Sequence, residues 1–281
     1  MAARGDARPA ASGAALHGRG HELETIRTLL AAAPAGSGGV LVVEGEPGAG
    51  KSTLLEAAAA AAAPFQVLRA RGIQSEAELA FAGLTELLSP LMAQPPLTES
   101  LPPEQLRTLR TALDARGTAP VGQLPLATAV LALLTTAARQ RPVLALVDDA
   151  HWLDGSSLAA VGFVARRLAT APIALIVARR GPEPEIGAAN AVELRLRGLD
   201  PEAARRLLAD LGVEARAGGN LTELNSESRD ISTEHRNAPS PEQRNAAAEN
   251  PTRIRLASDE FDRLLAETRG NPLALIEMAR L

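Results

Sequence analysis

A buried strand, a glycine-rich loop and a helix follow one another between residues 40 and 63, and they constrain the fold more than any other feature. Val40–Val43 is a short apolar run rich in β-branched residues, which is typical of a buried parallel strand. A helix is predicted from Thr53 to Ala63, just before Pro64. The loop between them fits the pattern G-x-x-x-x-G-K-[ST], in which glycines let backbone N–H groups surround phosphate oxygens. The sequence therefore predicts a phosphate-binding loop.

Lys51 is the only lysine of the chain, and it occupies the lysine position of this pattern. A lysine presents a compact charge on a flexible stem, whereas an arginine presents a planar fork. We expect Lys51 to contact the β- and γ-phosphates of a nucleotide and Ser52 to bind Mg²⁺. The residues predicted to bind the nucleotide are Gly45, Glu46, Pro47, Gly48, Ala49, Gly50, Lys51, Ser52 and Thr53.

Two carboxylates follow a second apolar run, Val143–Val147, which also predicts a buried strand. Ligands bind at the carboxyl edge of a parallel sheet, so Asp148 and Asp149 are expected to face the phosphates. Asp148 is predicted to hold Mg²⁺ and Asp149 to orient the water that attacks the γ-phosphate.

Two further groups of residues lie near this acidic pair in the predicted fold: the arginines that end the next strand, and the residues that directly follow the pair. Arg179 and Arg180 follow the apolar run at 173–177, and one of them is predicted to contact the γ-phosphate. His151 is expected to be a hydrogen-bonded surface residue, Trp152 a packing anchor, and Asp154 the N-cap of the next helix.

The order of predicted elements indicates a three-layer α/β fold of the P-loop NTPase type, with a parallel sheet covered on both faces. Predicted strands at residues 40–43, 66–69, 143–147, 173–177 and 192–196 alternate with helices. Residues 1–15 are predicted to be a disordered tail, residues 16–198 the ATPase core, and residues 199–281 a partial helical lid. A polar stretch at about 214–254 has almost no apolar residues and is predicted to be a disordered insertion in that lid.

Composition excludes several classes of protein. The chain has 0 Cys, which excludes disulfides and thiolate metal sites, and its net charge of −4 argues against direct binding of nucleic acid. The uncharged segment 118–138 is interrupted by proline and glycine, so we expect a buried helix there and no contact with a membrane. The guanine-recognition element N-K-x-D is excluded, because the single lysine of the chain lies in the phosphate loop. Its absence favours ATP and ADP as ligands. We expect a cytoplasmic protein, since no secretory signal is apparent.

Four stretches resemble the STAND class of AAA-related ATPases, and more narrowly the N-terminal ATPase of large MalT-like LuxR-type transcriptional regulators. They are Leu16–Arg19 with Glu22-Leu23, the loop GEPGAGKS, the strand LALVDDAHWLD, and the C-terminal GNPLAL at residues 270–275. The resemblance implies that Arg19 lies near the adenine, that Asp148 and Asp149 are the acidic pair, that Arg179 is the γ-phosphate sensor, and that Pro272 contacts the base. Gly20 replaces the glutamate that usually follows the arginine.

The function that this resemblance implies is a slow Mg-ATPase whose nucleotide state gates conformation or assembly and thereby controls transcription. Two other functions stay open: an oligomeric AAA-type ATPase with an arginine finger supplied in trans, and a nucleotide-binding interaction module that does not hydrolyse ATP. Self-association and binding of a regulatory protein are both compatible with this reading.

Overall fold

The structure is a computed structural model of the 281-residue chain, and it describes residues 16–114, 121–182, 186, 191–215 and 254–279. The predicted tail at 1–15 and most of the predicted insertion lie outside the described residues. The chain divides into two units, a core unit of Arg19–Arg197 and a second unit that joins Gly198–Leu281 to the residues before Arg19.

A five-stranded parallel sheet forms the centre of the core unit. Its strands are β1 (Gly39–Gly45), β2 (Gln66–Arg71), β3 (Val143–Asp148), β4 (Ile173–Arg179) and β5 (Val192–Leu196), in the spatial order β2-β3-β4-β1-β5. All five predicted strands are confirmed, and so is the α/β fold. The β3 and β4 strands are almost fully buried because their apolar residues are covered on both faces.

The helices of the core unit cover this sheet. They are α1 (Gly20–Ala32), α2 (Lys51–Ala60), α3 (Ala82–Met92), α4 (Pro95–Glu99), α5 (Pro103–Asp114), α6 (Gln123–Gln140) and α7 (Gly155–Ala165), with 3₁₀ turns at Ala33–Ala35, Gln74–Glu76 and Ala150–Trp152. The predicted buried helix is confirmed as α6, which packs Leu126, Val130 and Leu133 into the core. Within the described part of the chain, every helix is too short or too polar to cross a bilayer.

The strand order decides which residues meet at the carboxyl edge. The β4 strand pairs with β1 on one side and with β3 on the other, so the ends of these three strands are neighbours. The loop after β1, the arginines that end β4 and the acidic pair that ends β3 therefore share one edge of the sheet, where parallel sheets bind ligands.

The described residues of the second unit form three helices and a small sheet. The helices are α8 (Pro201–Asp210), α9 (Ser258–Thr268) and α10 (Pro272–Met278), and they pack around Leu208, Phe261 and Leu275. Two short strands, β6 (Val213–Ala215) and β7 (Ile254–Leu256), pair in parallel.

Two boundaries differ from the sequence-based expectation. The predicted insertion at about 214–254 begins and ends within short strands, because backbone pairing places residues 214, 215 and 254 in β6 and β7. Residues 16–18, which we assigned to the core, group with the second unit. There, His17 Nε2 lies 2.7 Å from Asp210 Oδ2, and a Cβ added at Gly18 would lie 2.6 Å from Ala203 Cβ.

Candidate functional site

The loop between β1 and α2 has the backbone that the glycine pattern requires. Gly48 has a φ of 78° and Gly50 a φ of 95°, in the left-handed region that residues with a Cβ rarely adopt. Gly50 is the N-cap of α2, so the helix begins at Lys51 and its unpaired first-turn N–H groups lie beside the loop. This is the arrangement that binds phosphate at a helix N-terminus.

The side chain of Lys51, the first residue of α2, folds back onto this loop. Its Nζ donates to the carbonyl oxygens of Gly45 at 2.7 Å and of Glu46 at 3.0 Å, and the residue is only 7% exposed. Burial lowers the pKa of the Lys51 ammonium, and the carboxylate of Asp149 opposes that shift. The loop carbonyls hold the lysine where a phosphate ligand of the loop would meet it.

Ser52 and Asp148 provide an adjacent pair of oxygen ligands. Ser52 Oγ donates to Asp148 Oδ2 at 2.6 Å, which joins the first turn of α2 to the end of β3. Hydroxyl and carboxylate oxygens are ligands that Mg²⁺ accepts, so the pair fits the predicted ion. Among the described residues no group of three or more acidic or histidine side chains could hold a metal. A magnesium ion at this pair would therefore take its other ligands from phosphate and water, as Mg²⁺ commonly does. Thr53, the next residue, is exposed.

Asp149 has an unusual backbone conformation. Its φ is 47°, in the left-handed region, and its N–H donates to Asp148 Oδ1 at 2.9 Å. Gly72 supports this turn from the end of β2, because its N–H donates to the carbonyl oxygen of Asp148 at 2.9 Å. A Cβ added at Gly72 would lie 2.2 Å from the carbonyl oxygen of Asp149, so only glycine fits.

Arg71 contacts the acidic pair, and the sequence did not identify it. Its Nη2 donates to Asp149 Oδ2 at 3.3 Å, and in the sheet register Arg71 lies beside Asp148. A cavity of about 280 Å³ next to Ser52 and Asp148 is lined by Arg69 and Arg71 together with Glu56 and Glu86. The signal that could have identified Arg71 is its place at the end of β2, next to the strand that carries the acidic pair.

The two arginines at the end of β4 have different surroundings. Arg179 is 3% exposed, and its Nη2 lies 3.3 Å from Glu193 Oε1 and 3.8 Å from Glu44 Oε2. Arg180 is exposed, and its positive charge contributes to lowering the pKa of Lys51, after burial and against the carboxylates. The structure thus places Arg179 among the carboxylates of β1 and β5, while Arg180 is the arginine whose charge reaches the lysine.

His151 differs from its predicted setting. Both of its ring nitrogens are buried, and neither has a hydrogen-bond partner among the described residues, so the expectation of a hydrogen-bonded surface residue is wrong. Burial lowers the pKa of His151, and the positive charge of Arg180 lowers it further. His151 lies in the 3₁₀ turn at Ala150–Trp152, and its ring packs against Trp152, with ring centroids 5.3 Å apart.

Asp154 caps α7, as predicted, and also binds a second segment. Its Oδ1 accepts the N–H groups of Ser157 at 2.9 Å and Phe81 at 2.9 Å, and its Oδ2 accepts the N–H of Gly83 at 3.1 Å. The carboxylate is therefore shared between the N-termini of α7 and α3. This last aspartate of the acidic segment has a structural role.

The structure places Arg19 and Pro272 in separate units. The Arg19 guanidinium is buried and donates to the carbonyl oxygens of Ala49 and Arg197, both in the core unit. Pro272 is the first residue of α10, after Asn271, whose side chain accepts the N–H groups of residues 273 and 274. The adenine contacts of Arg19 and Pro272 stay predictions.

Comparison with known proteins identifies the family. A family model described as an AAA ATPase domain matches residues 15–177, which include the phosphate loop and the acidic pair. The chain belongs to the AAA ATPase domain family. The match covers more than half of the chain and most of the core unit.

Individual relatives of this ATPase domain are distant. An uncharacterized protein of Rhizobium meliloti (strain 1021) is 29% identical over an alignment of 229 residues, and the match covers 69% of this chain and 21% of the relative. Cdc6p from Pyrobaculum aerophilum has a TM-score of 0.49 at 15% identity, over 72% of this chain and 51% of that chain. A STAND protein with a tetratricopeptide repeat sensor from Pyrococcus horikoshii has a TM-score of 0.41 at 20% identity, over 89% of this chain and 28% of that chain. The chain thus spans about a fifth of the curated relative and about half or less of the two solved chains.

Proposed function

We propose that this ATPase domain binds Mg-ATP, hydrolyses it slowly, and acts as a switch whose state depends on the bound nucleotide. The observation that carries the proposal is the convergence of Lys51 with the Ser52–Asp148 pair at one sheet edge. The Lys51 ammonium is held within the loop, and the two oxygens of the pair are 2.6 Å apart. These are the groups that a nucleoside triphosphate and its metal require.

The proposed binding step exchanges partners of Lys51. Its ammonium leaves the carbonyl oxygens of Gly45 and Glu46 and pairs with phosphate oxygens, which relieves the cost of burying an unpaired charge. The backbone of residues 48–51 and the N-terminus of α2 supply further N–H groups. Ser52 and Asp148 would hold a magnesium ion, which would neutralise part of the phosphate charge.

Hydrolysis is proposed to proceed by in-line attack of water on the γ-phosphorus. A bond forms between the water oxygen and phosphorus while the bond to the β,γ-bridging oxygen breaks, ADP leaves with the electron pair, and a proton of the water passes to an oxygen of the released phosphate. Asp149 is the carboxylate proposed to orient the water, because Gly72 and Arg71 fix it at the sheet edge. A carboxylate positioned in this way increases the rate of the chemical step by a large factor.

Arg180 is proposed as the arginine that contacts the γ-phosphate, in place of Arg179. Arg179 is held between Glu44 and Glu193, whereas the charge of Arg180 already acts on Lys51. Arg180 directly follows β4 at the same sheet edge and is exposed, so it can move to a phosphate without breaking a buried ion pair.

We further propose that the core unit, Arg19–Arg197, is the ATPase core, that residues 199–281 form a helical lid, and that the chain is the switch domain of a LuxR-type regulator. What supports this is the resemblance of GEPGAGKS, LALVDDAHWLD and GNPLAL to the ATPase domains of that family. The chain spans only a fifth of its curated relative, so the regulated activity of the whole protein belongs to this proposal.

The experiment is a single-turnover measurement of phosphate release with enzyme in excess over ATP. We expect slow release from the wild-type chain, none from Lys51→Ala, and none from Asp149→Asn, which should still bind ATP. Asp114→Asn is the matched control, since that aspartate is exposed at the end of α5. Normal release from Asp149→Asn would assign the catalytic role elsewhere, and bound ATP that is never hydrolysed by the wild-type chain would support a binding module.

A further inference from the structure

Arg19 is a buried arginine with three hydrogen-bond partners. One guanidinium nitrogen, Nη2, donates to the carbonyl oxygen of Ala49 at 3.1 Å and to that of Arg197 at 2.7 Å. The other, Nη1, donates to Glu22 Oε1 at 3.0 Å, and Arg19 is 6% exposed. The first two acceptors are distant in sequence, so the guanidinium joins three segments of the core unit.

The position of Ala49 makes one of these contacts informative. Ala49 lies between Gly48 and Gly50, the two loop residues with left-handed backbone, and it is itself buried. Its N–H donates to the carbonyl oxygen of Glu46, which closes the loop, and its carbonyl oxygen accepts from Arg19. The two peptide groups of Ala49, which belong to the loop that would surround a phosphate, are therefore both held by hydrogen bonds.

The second acceptor anchors the same guanidinium to the sheet. Arg197 directly follows β5, and β5 pairs with β1 so that Leu196 lies beside Gly45, the first residue of the loop. A Cβ added at Gly45 would lie 3.1 Å from Leu196 Cβ, which shows how closely the two segments approach. Arg19 thus ties the middle of the phosphate loop to the strand end next to its beginning.

We propose that Arg19 is a positioning residue that holds the phosphate loop in its binding conformation and acts on the triphosphate, not on the adenine base. This inference rests on the proposed nucleotide binding. Without the guanidinium, the Ala49 carbonyl loses its fixed donor and the loop must be ordered when phosphate binds. A charge-assisted hydrogen bond of this kind changes an equilibrium by about ten- to a hundredfold.

The test compares two ligands, Mg-ATP and inorganic tripolyphosphate, by isothermal titration calorimetry. We expect Arg19→Gln to weaken both ligands by the same factor, about tenfold or more, because they share the phosphates and differ in the nucleoside. Arg19→Lys should show the same defect, since the lysine side chain is one bond shorter and its ammonium falls short of the two carbonyl oxygens that Nη2 contacts. The matched control is Arg27→Gln, which removes an arginine of α1 that pairs with Glu24 at 3.4 Å on the surface and should leave both affinities unchanged.

The outcomes separate this inference from the proposed function. Loss of affinity for ATP alone would overturn the inference and assign Arg19 to the base. Unchanged affinities in both Arg19 variants would also overturn it, while leaving the nucleotide site intact. Failure of both variants to fold would contradict it too, since Arg19 would then support the whole core. No binding of either ligand to the wild-type chain would remove the proposed function itself.

Discussion

Replacing Asp154 with alanine tests how the acidic segment is built. The Asp154 carboxylate is buried, with the residue 3% exposed, and accepts three backbone N–H groups. Loss of an N-cap costs about 1 kcal/mol, and each further buried N–H left without a partner costs about 1–3 kcal/mol. Removing one cap bond and leaving the N–H groups of Phe81 and Gly83 without a partner should therefore lower the free energy of unfolding by about 3–7 kcal/mol.

The assay is urea unfolding followed by the fluorescence of Trp152, which is the only tryptophan and lies two residues from Asp154. The comparison is Asp200→Ala, which removes an exposed N-cap that accepts a single N–H, from Ala203 at 2.8 Å. Followed by far-ultraviolet circular dichroism, that variant should lose about 1 kcal/mol. If Asp154→Ala loses no more than Asp200→Ala, the shared cap does not stabilise the segment and the reasoning is refuted.

Three further perturbations test the surroundings of the acidic pair. Gly72→Ala should displace the Asp149 turn and slow phosphate release. It should also lower the free energy of unfolding by about 1–3 kcal/mol, as measured with urea, and unaltered turnover would contradict the tight fit at that position. Arg71→Met should lower kcat several-fold and leave the affinity for ATP unchanged. Arg69→Met, which removes an exposed ion pair with Glu56, should leave kcat unchanged, and equal effects of the two variants would show that Arg71 does not position Asp149. Because the folded chain depresses the pKa of His151, the unfolded chain binds more protons between that pKa and about 6.5. Wild-type stability should therefore rise with pH across that window, and His151→Gln should remove the rise; equal pH profiles of the two chains would show that His151 does not titrate as described.

Much of the core unit follows from local patterns. Val40–Val43 and Val143–Val147 are apolar runs that a parallel sheet buries on both faces, and both became strands at the expected places. The glycines at positions 48 and 50 require left-handed backbone, which the structure shows. Asp154 has the offset from Ser157 that an N-cap needs, so its role in α7 could be predicted.

Contacts between distant segments could not be predicted in this way. The second cap that Asp154 provides depends on the approach of the N-terminus of α3, where Phe81 and Gly83 lie 73 and 71 residues away in sequence. The surroundings of Arg179 depend on the order of β4, β1 and β5 in the sheet, which places Glu44 and Glu193 beside it. In an arginine-rich chain, the sequence around an arginine does not show whether its side chain holds the backbone, as Arg19 does, or contacts a ligand. Both roles use the same guanidinium donors.

Calorimetric titration of Mg-ATP into the wild-type chain and the Lys51→Ala variant tests the central claim most directly. The account predicts saturable binding to the wild-type chain and at least a hundredfold weaker binding to the variant, since the only lysine of the chain lies within the phosphate loop. Equal affinities in the two proteins, or no binding to the wild-type chain, would contradict it.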